Sequence, residues 1–257
     1  MHVKRRDILK LALAGGFASI IGLLGNFLPT SGLRSARYRI ANRMIKRSLG
    51  RTGLEVSVIG LGGGAIWSFK QVDVVLEALR MGVNFIDTAC IYSDDKSEKL
   101  IGTALRDFEG EVCIGTKTLI RSRRGAEAEI RESIARLGVG KVDIVYLHGV
   151  GTMKDLEKGI DESHGALAAI RKLQREGLVG YVGISGAHSP LFEQISGREI
   201  DVDRELKVMD ATVESGVFDV IQVSYHIEFP EVEEIIDKAY EQDVGVVCKN
   251  RLEQAYS

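Results

Sequence analysis

Short apolar runs alternate with longer amphipathic stretches along most of the chain. Apolar residues at three- and four-residue spacing predict helices over 72–81, 97–108, 126–137, 165–176, 204–215 and 232–242. Between them lie short, mainly apolar runs with apolar residues on both faces, which predicts buried strands at 56–60, 84–86, 112–115, 144–147, 181–184, 220–223 and 245–247. Gly82, Gly138, Gly177 and Gly216 stand where C-terminal helix caps belong. Ahead of the first strand, the segment SLGRTGLEVSVIG reads as a hairpin turning at Arg51-Thr52-Gly53.

Seven strands in strict alternation with helices predict an α/β fold of the (β/α)8 TIM-barrel type, entered through an N-terminal hairpin. Only ten residues follow Val247, so the barrel is expected to be C-terminally incomplete, with about seven βα units. An open doubly wound sheet is the competing fold. It lacks support, because no G-x-G-x-x-G joins the first strand to its helix; Gly60, Gly62, Gly63 and Gly64 make a Gly-rich turn and nothing more specific.

Composition fits an ordinary globular protein, long enough for one large α/β domain or two small ones: 257 residues, 45% hydrophobic and 27% charged. The net charge of −2 conceals an asymmetry. Residues 1–50 carry ten Lys or Arg against one Asp, which leaves −11 on the remainder and argues against a general nucleic-acid binder. Lys4-Arg5-Arg6-Asp7-Ile8-Leu9-Lys10 followed by an apolar run over 11–28 reads as a twin-arginine export signal. If retained, the run is close to the roughly 20 apolar residues that span a bilayer. The expected organisation is a signal or membrane anchor at 1–32, a linker at 33–47 and the barrel at 48–257. The protein is expected to be exported, either periplasmic or membrane-anchored. Cys90, Cys113 and Cys248 are isolated and form no C-x-x-C; Cys113 and Cys248 sit in apolar runs and read as core residues.

Three strand segments, NFIDTACIY, EVCIGTK and VDIVYLH, end in chemically useful residues. Asp87, Tyr92, Lys117 and His148 fall at or just past the C-terminal ends of consecutive strands, where a parallel barrel gathers its catalytic groups. The D-T-A-x-x-Y of residues 87–92, the following S-E-x-x-I-G, and the Thr-Lys and Leu-His pairs at strand ends resemble the aldo-keto reductase family. Further segments extend the resemblance from about Ser48 to Leu252: LGRTGLEVSVIGLGGG, IRKLQREGLVGYVGISG, FDVIQVSYH and DVGVV.

That resemblance implies reduction of an aldehyde or ketone with NADPH or NADH, with Tyr92 as general acid. Lys117 and Asp87 become the pair that sets its pKa, and His148 orients the carbonyl. A tyrosine with an ordinary pKa near ~10 is a poor acid at neutral pH, so the ammonium of Lys117 is expected to bring it down. For the cofactor, Ser185 and Gln222 match nicotinamide-binding positions, whereas Gly186 stands where the family usually has Asn. Gly62 is expected beside the nicotinamide, and Lys249 to offer charge to a phosphate. Expected partners are a small carbonyl compound and the twin-arginine machinery, with a membrane tether or a redox partner besides; outside the cytoplasm the cofactor would need tight retention or that redox partner to stay in use.

Two other readings compete. One is a binding or sensing protein, or an incomplete copy, that keeps the fold without turnover. The other is a metal-dependent hydrolase using His148, His188 and His226; no metal site is predicted, since the H-x-H expected after a first strand is missing. The acidic stretch EFPEVEEIID reads as a helix start with Pro230 in its first turn. Long loops over 149–163 and 187–203 are expected to shape the substrate pocket.

Overall fold

In the computed structural model, which describes residues 44–187, 201–225 and 230–249, runs of apolar residues pair in parallel, as burial on both faces requires. An antiparallel hairpin comes first, β1 (Lys46–Ser48) paired with β2 (Glu55–Ser57). A parallel sheet follows, with strands β3 (Leu61–Gly62), β4 (Phe85–Asp87), β5 (Cys113–Thr118), β6 (Val142–Val150), β7 (Val179–Gly186), β8 (Val220–Ser224) and β9 (Gly245–Lys249). Its spatial order is the sequence order from β3 to β9. The order never doubles back, so the sheet curls as a seven-stranded partial barrel rather than spreading as a doubly wound sheet. Among the described residues, no strand joins β9 back to β3.

Helices cross from strand to strand: α1 (Val72–Arg80), α2 (Lys96–Arg106), α3 (Arg123–Leu137), α4 (Met153–Ile160), α5 (Ala166–Arg175), α6 (Val202–Glu214) and α7 (Val232–Glu241). The four glycines expected as caps all take positive φ, between 65° and 94°. The large core lies between sheet and helices, where Ile114, Val145, Leu147, Val182, Ile184 and Ile221 meet Leu79, Ile101, Ile130, Leu137, Ile170 and Leu173.

A second, inner cluster fills the barrel: Leu49, Val56, Phe85, Cys113, Ile144, Tyr146 and Val220, with Tyr181 and Val247 against it. Side chains alternate along a strand, so each inner residue fixes which later residues also face the interior. Phe85 is followed two places on by Asp87, Cys113 by Gly115 and then Lys117, and Ile144 by Tyr146 and then His148. Tyr181 leads to Gly183 and Ser185, Val220 to Gln222, and Val247 to Lys249. The pleat alone therefore carries every polar candidate on these strands to one mouth.

The hairpin seals the opposite end. Leu49 joins the inner cluster, Arg51 donates to the carbonyls of Phe218 (2.6 Å) and Gly216 (3.2 Å), and the Tyr181 hydroxyl donates to the Thr52 carbonyl.

Three expectations are corrected. The strand expected at 56–60 is two elements: the hairpin strand β2 ends at Ser57, and the sheet begins only at Leu61. The loop expected over 149–163 contains α4, capped by the Thr152 hydroxyl accepting from Asp155 N at 3.1 Å. Cys248 is exposed rather than core. The leader and nearly all of the linker, His188, His226, Arg251 and most of the 187–203 loop lie outside the described residues. Among those described, no helix is long and apolar enough to cross a membrane.

Candidate active site

Lys117 organises the mouth. Its side chain is fully buried, and Nζ donates to Asp87 Oδ2 at 2.6 Å and to the Thr88 carbonyl at 2.7 Å. The same ammonium lies 5.0 Å from the centroid of the Tyr92 ring. His148 stands edge-on to Tyr92, with centroids 5.9 Å apart and planes at 81°. The four residues expected from three strands are thus brought together.

Burial pulls the Lys117 pKa down, but the charges and hydrogen bonds of Asp87 and Tyr92 outweigh it, leaving the net above the ordinary value. For Tyr92 the balance differs from expectation. Burial raises its pKa and Lys117 opposes, yet the net direction is upward, so desolvation wins over the ammonium in the protein alone. His148 is held well below its ordinary 6.5 by burial first, then by the positive charges of Lys117, Lys249 and Arg121. It is a neutral imidazole at physiological pH.

Tyr92 sits on a turn of unusual backbone. Its N–H donates to the Ala89 carbonyl, and Ser93, Asp94 and Asp95 follow it at φ of 55°, 53° and 65°. Three consecutive non-glycine residues in the left-handed region hold strain that the surroundings must offset. Ser97 and Glu98 at the start of α2 do so. Ser97 Oγ donates to the Gly63 carbonyl at 2.8 Å and contacts Thr88 Oγ1 at 3.0 Å. Glu98, fully buried, accepts from Thr116 Oγ1 at 2.6 Å and from Arg136 Nε at 2.7 Å. The Ser-Glu motif is therefore a brace behind the tyrosine turn.

The opposite side of the mouth holds Ser185, Gln222 and Lys249. Ser185 Oγ lies 3.0 Å from Gln222 Oε1, and Lys249 Nζ donates to Ser185 Oγ at 3.0 Å and to the Gly186 carbonyl at 2.7 Å. A hydroxyl beside a primary amide offers both donors and acceptors, the chemistry a carboxamide group requires. Burial brings Lys249 down to about 8, with Lys117 adding to the effect and Glu205 of α6 opposing it. Glu205 also crowds Gly186: a Cβ there would lie 2.2 Å from Glu205 Oε1, so the expected Asn would require that carboxylate to move.

Gly62 pairs with Asp87 in register and faces open space, where an added Cβ would meet nothing within 4 Å. The constrained glycine is its neighbour Gly63, whose Cβ would come within 2.8 Å of Thr88 Oγ1 and Ser97 Oγ. Arg121 was not expected from sequence. It pairs with Asp155 of α4 at 2.8 Å and donates to the His148 carbonyl at 2.6 Å, fixing the end of β6. Burial, and then the Glu129 carboxylate, push the Cys90 thiol up, away from the reactive thiolate. Among the described residues, no group of three or more His, Cys, Asp or Glu is placed to hold a metal ion.

Residues 58–255 match the sequence profile of the aldo/keto reductase family. The uncharacterized oxidoreductase YqkF of Bacillus subtilis is 31% identical over 156 residues, covering 55% of this chain and 49% of that protein. L-galactose dehydrogenase of Arabidopsis thaliana is 30% identical over 168 residues, covering 59% and 51%. The chain thus spans about half the length of the curated relatives it matches. Among solved structures, an aldo-keto reductase from Bacillus halodurans in its holo form superposes with a TM-score of 0.63 at 26% identity, over 80% of this chain and 66% of that one. An aldo-keto reductase from Klebsiella pneumoniae in complex with NADPH superposes with a TM-score of 0.60 at 23% identity, over 82% and 70%.

Proposed function

The chain belongs to the aldo/keto reductase family, and from that premise we propose that it reduces an aldehyde or ketone to an alcohol with a nicotinamide cofactor. The observation that carries the reading is the buried Lys117–Asp87 pair at 2.6 Å with its ammonium over Tyr92 and His148 edge-on beyond.

Tyr92 Oη gives its proton to the oxygen of the carbonyl as that oxygen becomes an alkoxide. Lys117 holds a compensating positive charge beside the tyrosinate left behind, and Asp87 keeps Lys117 charged and fixed. His148, neutral and edge-on to the phenol, directs a hydrogen bond at the same oxygen and orients the carbonyl. Ser185 and Gln222 would hold the carboxamide of the cofactor, with the open space at Gly62 left for its ring, and when bound the group would supply the hydride for the carbonyl carbon. NADPH, bound in the Klebsiella pneumoniae structure, is the first cofactor to try, and NADH the second.

The leader extends the reading. Arg5 and Arg6 with the apolar run behind them support export of the folded protein. The protein then works outside the cytoplasm, either tethered to the membrane or served by a redox partner.

The test is a fluorescence titration of NADPH into the full chain, followed by a carbonyl screen with wild type and Tyr92→Phe. Micromolar binding by both proteins, with kcat reduced at least about 10²-fold in the variant, is the expected result. Equal turnover by the two proteins, or no cofactor binding by folded wild type, overturns the reading.

A further inference from the structure

Two buried polar atoms just below the tetrad have no hydrogen-bond partner among the described residues: Asp87 Oδ1 and the hydroxyl of Tyr146. They are neighbours. Both flank Gly115, where an added Cβ would lie 3.6 Å from Asp87 Oδ1 and 3.7 Å from Tyr146 Oη.

Tyr146 is fully buried in the inner cluster, and both adjacent strands make room for its ring. A Cβ on Gly183 of β7 would come within 2.4 Å of the ring, and one on Gly115 of β5 within 2.9 Å. Phenylalanine would fill that slot equally well. The hydroxyl is the surplus, and a buried hydroxyl without a partner destabilises a fold. Asp87 has the complementary need, since Lys117 uses Oδ2 and leaves Oδ1 in the interior.

We propose that Tyr146 is a positioning residue: its hydroxyl donates through one buried water to Asp87 Oδ1, fixing the carboxylate that holds Lys117 against Tyr92. A donor and an acceptor flanking a common point give a bridging water the polar partners it requires. Burial and the negative charge of Asp87 keep the Tyr146 phenol protonated, and so a donor, far into the alkaline range. The relay then runs Tyr146, water, Asp87, Lys117, Tyr92. The other titratable groups around it are Cys113 on β5, His148 on β6 and Lys249 on β9, none of which replaces the Tyr146 hydroxyl at Oδ1.

This inference rests on the reductase reading, and its test separates the two. Tyr146→Phe in the full chain keeps the ring and removes only the hydroxyl. Three things are measured: the thermal midpoint, kcat and KM against pH with NADPH, and the crystal structure of the wild-type protein. The expected midpoint falls by about 2–4 °C, the shift that loss of one net hydrogen bond gives in a chain of this size. The expected kcat falls about tenfold with KM unchanged, short of the 10²-fold that an ångström of misplacement costs, and the alkaline limb of kcat moves. A midpoint that holds or rises overturns the proposal, because the hydroxyl then has no partner. A midpoint that falls while the pH profiles superimpose also overturns it, leaving Tyr146 a structural residue only. If wild type reduces no carbonyl, the reductase reading falls by itself. The bond is then decided by density: a water within hydrogen-bond distance of both atoms supports it, and two dry atoms overturn it.

Discussion

Glu98 has no contact with the reacting centre, yet its replacement should be among the most costly in the chain. It is fully buried and accepts two short hydrogen bonds, from Thr116 on β5 and from Arg136 on α3. Glu98→Ala removes both and leaves Arg136, whose side chain is only 15% exposed, without its main counter-charge. Breaking a buried ion pair from one side costs about 3–5 kcal/mol. Arg136 keeps Ser133 and the more distant Glu132, which places the expectation near the lower end, about 3 kcal/mol. Glu98→Gln retains the bond from Thr116 but turns an amide toward a guanidinium, for a loss of about 2 kcal/mol. Urea unfolding followed by circular dichroism measures both; with m near ~2–3 kcal/mol/M, 3 kcal/mol moves the midpoint by about 1 M or more. The double variant Glu98→Ala, Arg136→Leu should fall short of additivity by more than about 1 kcal/mol, since the orphaned cation is gone. A midpoint shift below about 0.2 M for Glu98→Ala, or an additive cycle, would refute the reasoning.

Three other expectations follow from charge. His148 is neutral in the fold, with a pKa far below the 6.5 of an unfolded chain. Its contribution is therefore complete above pH 6.5 and is lost as pH falls below it, by up to about 1.4 kcal/mol per pH unit; His148→Gln should flatten stability between pH 6.5 and 5, and superimposable curves would sink the idea. Lys249 loses its charge as pH rises through about 8, so NADPH affinity should weaken about fivefold between pH 7 and 9, equivalent to about 1 kcal/mol, and Lys249→Met should show no such slope in a fluorescence titration. Replacing both Arg5 and Arg6 with Lys should leave the protein in the cytoplasm on fractionation of expressing cells, whereas an unchanged distribution would remove the export reading.

The strand positions were legible as short apolar runs, and the polar residues of the site continue the inward-facing alternation that the structure gives them. Phe85 to Asp87, Ile144 to His148 and Val220 to Gln222 can be read along the chain without knowing any distance. Helix α4 was not legible. Its eight residues, MKDLEKGI, include few apolar ones, and its placement depends on Arg121 reaching Asp155 from another loop. Strand β3 escaped for a similar reason, since two residues carry no period at all. At the site, the residue types were readable but the sign of the Tyr92 shift was not. It depends on how much water the surrounding chain excludes, and that outweighs the nearby ammonium whose effect the sequence did suggest. Nor does any local signal join Gly186 to Glu205, because α6 brings that carboxylate back from a different part of the chain.

The hairpin that seals the far end of the barrel has a kinetic meaning. Arg51 reaches Gly216, Phe218 and Asp219 across sequence separations of 165 to 168 residues, and Gly50 packs directly on the backbone of Gly245. Gly50 and Arg51 leave the ribosome early, but these particular partners exist only once β8 and β9 have been made, whereas Asn84 and Tyr181 offer Ser57 and Thr52 of the same hairpin earlier ones. The contacts of Gly50 and Arg51 therefore close the last and longest loop that the hairpin makes with the barrel, and closure over so great a sequence separation is expected to be slow.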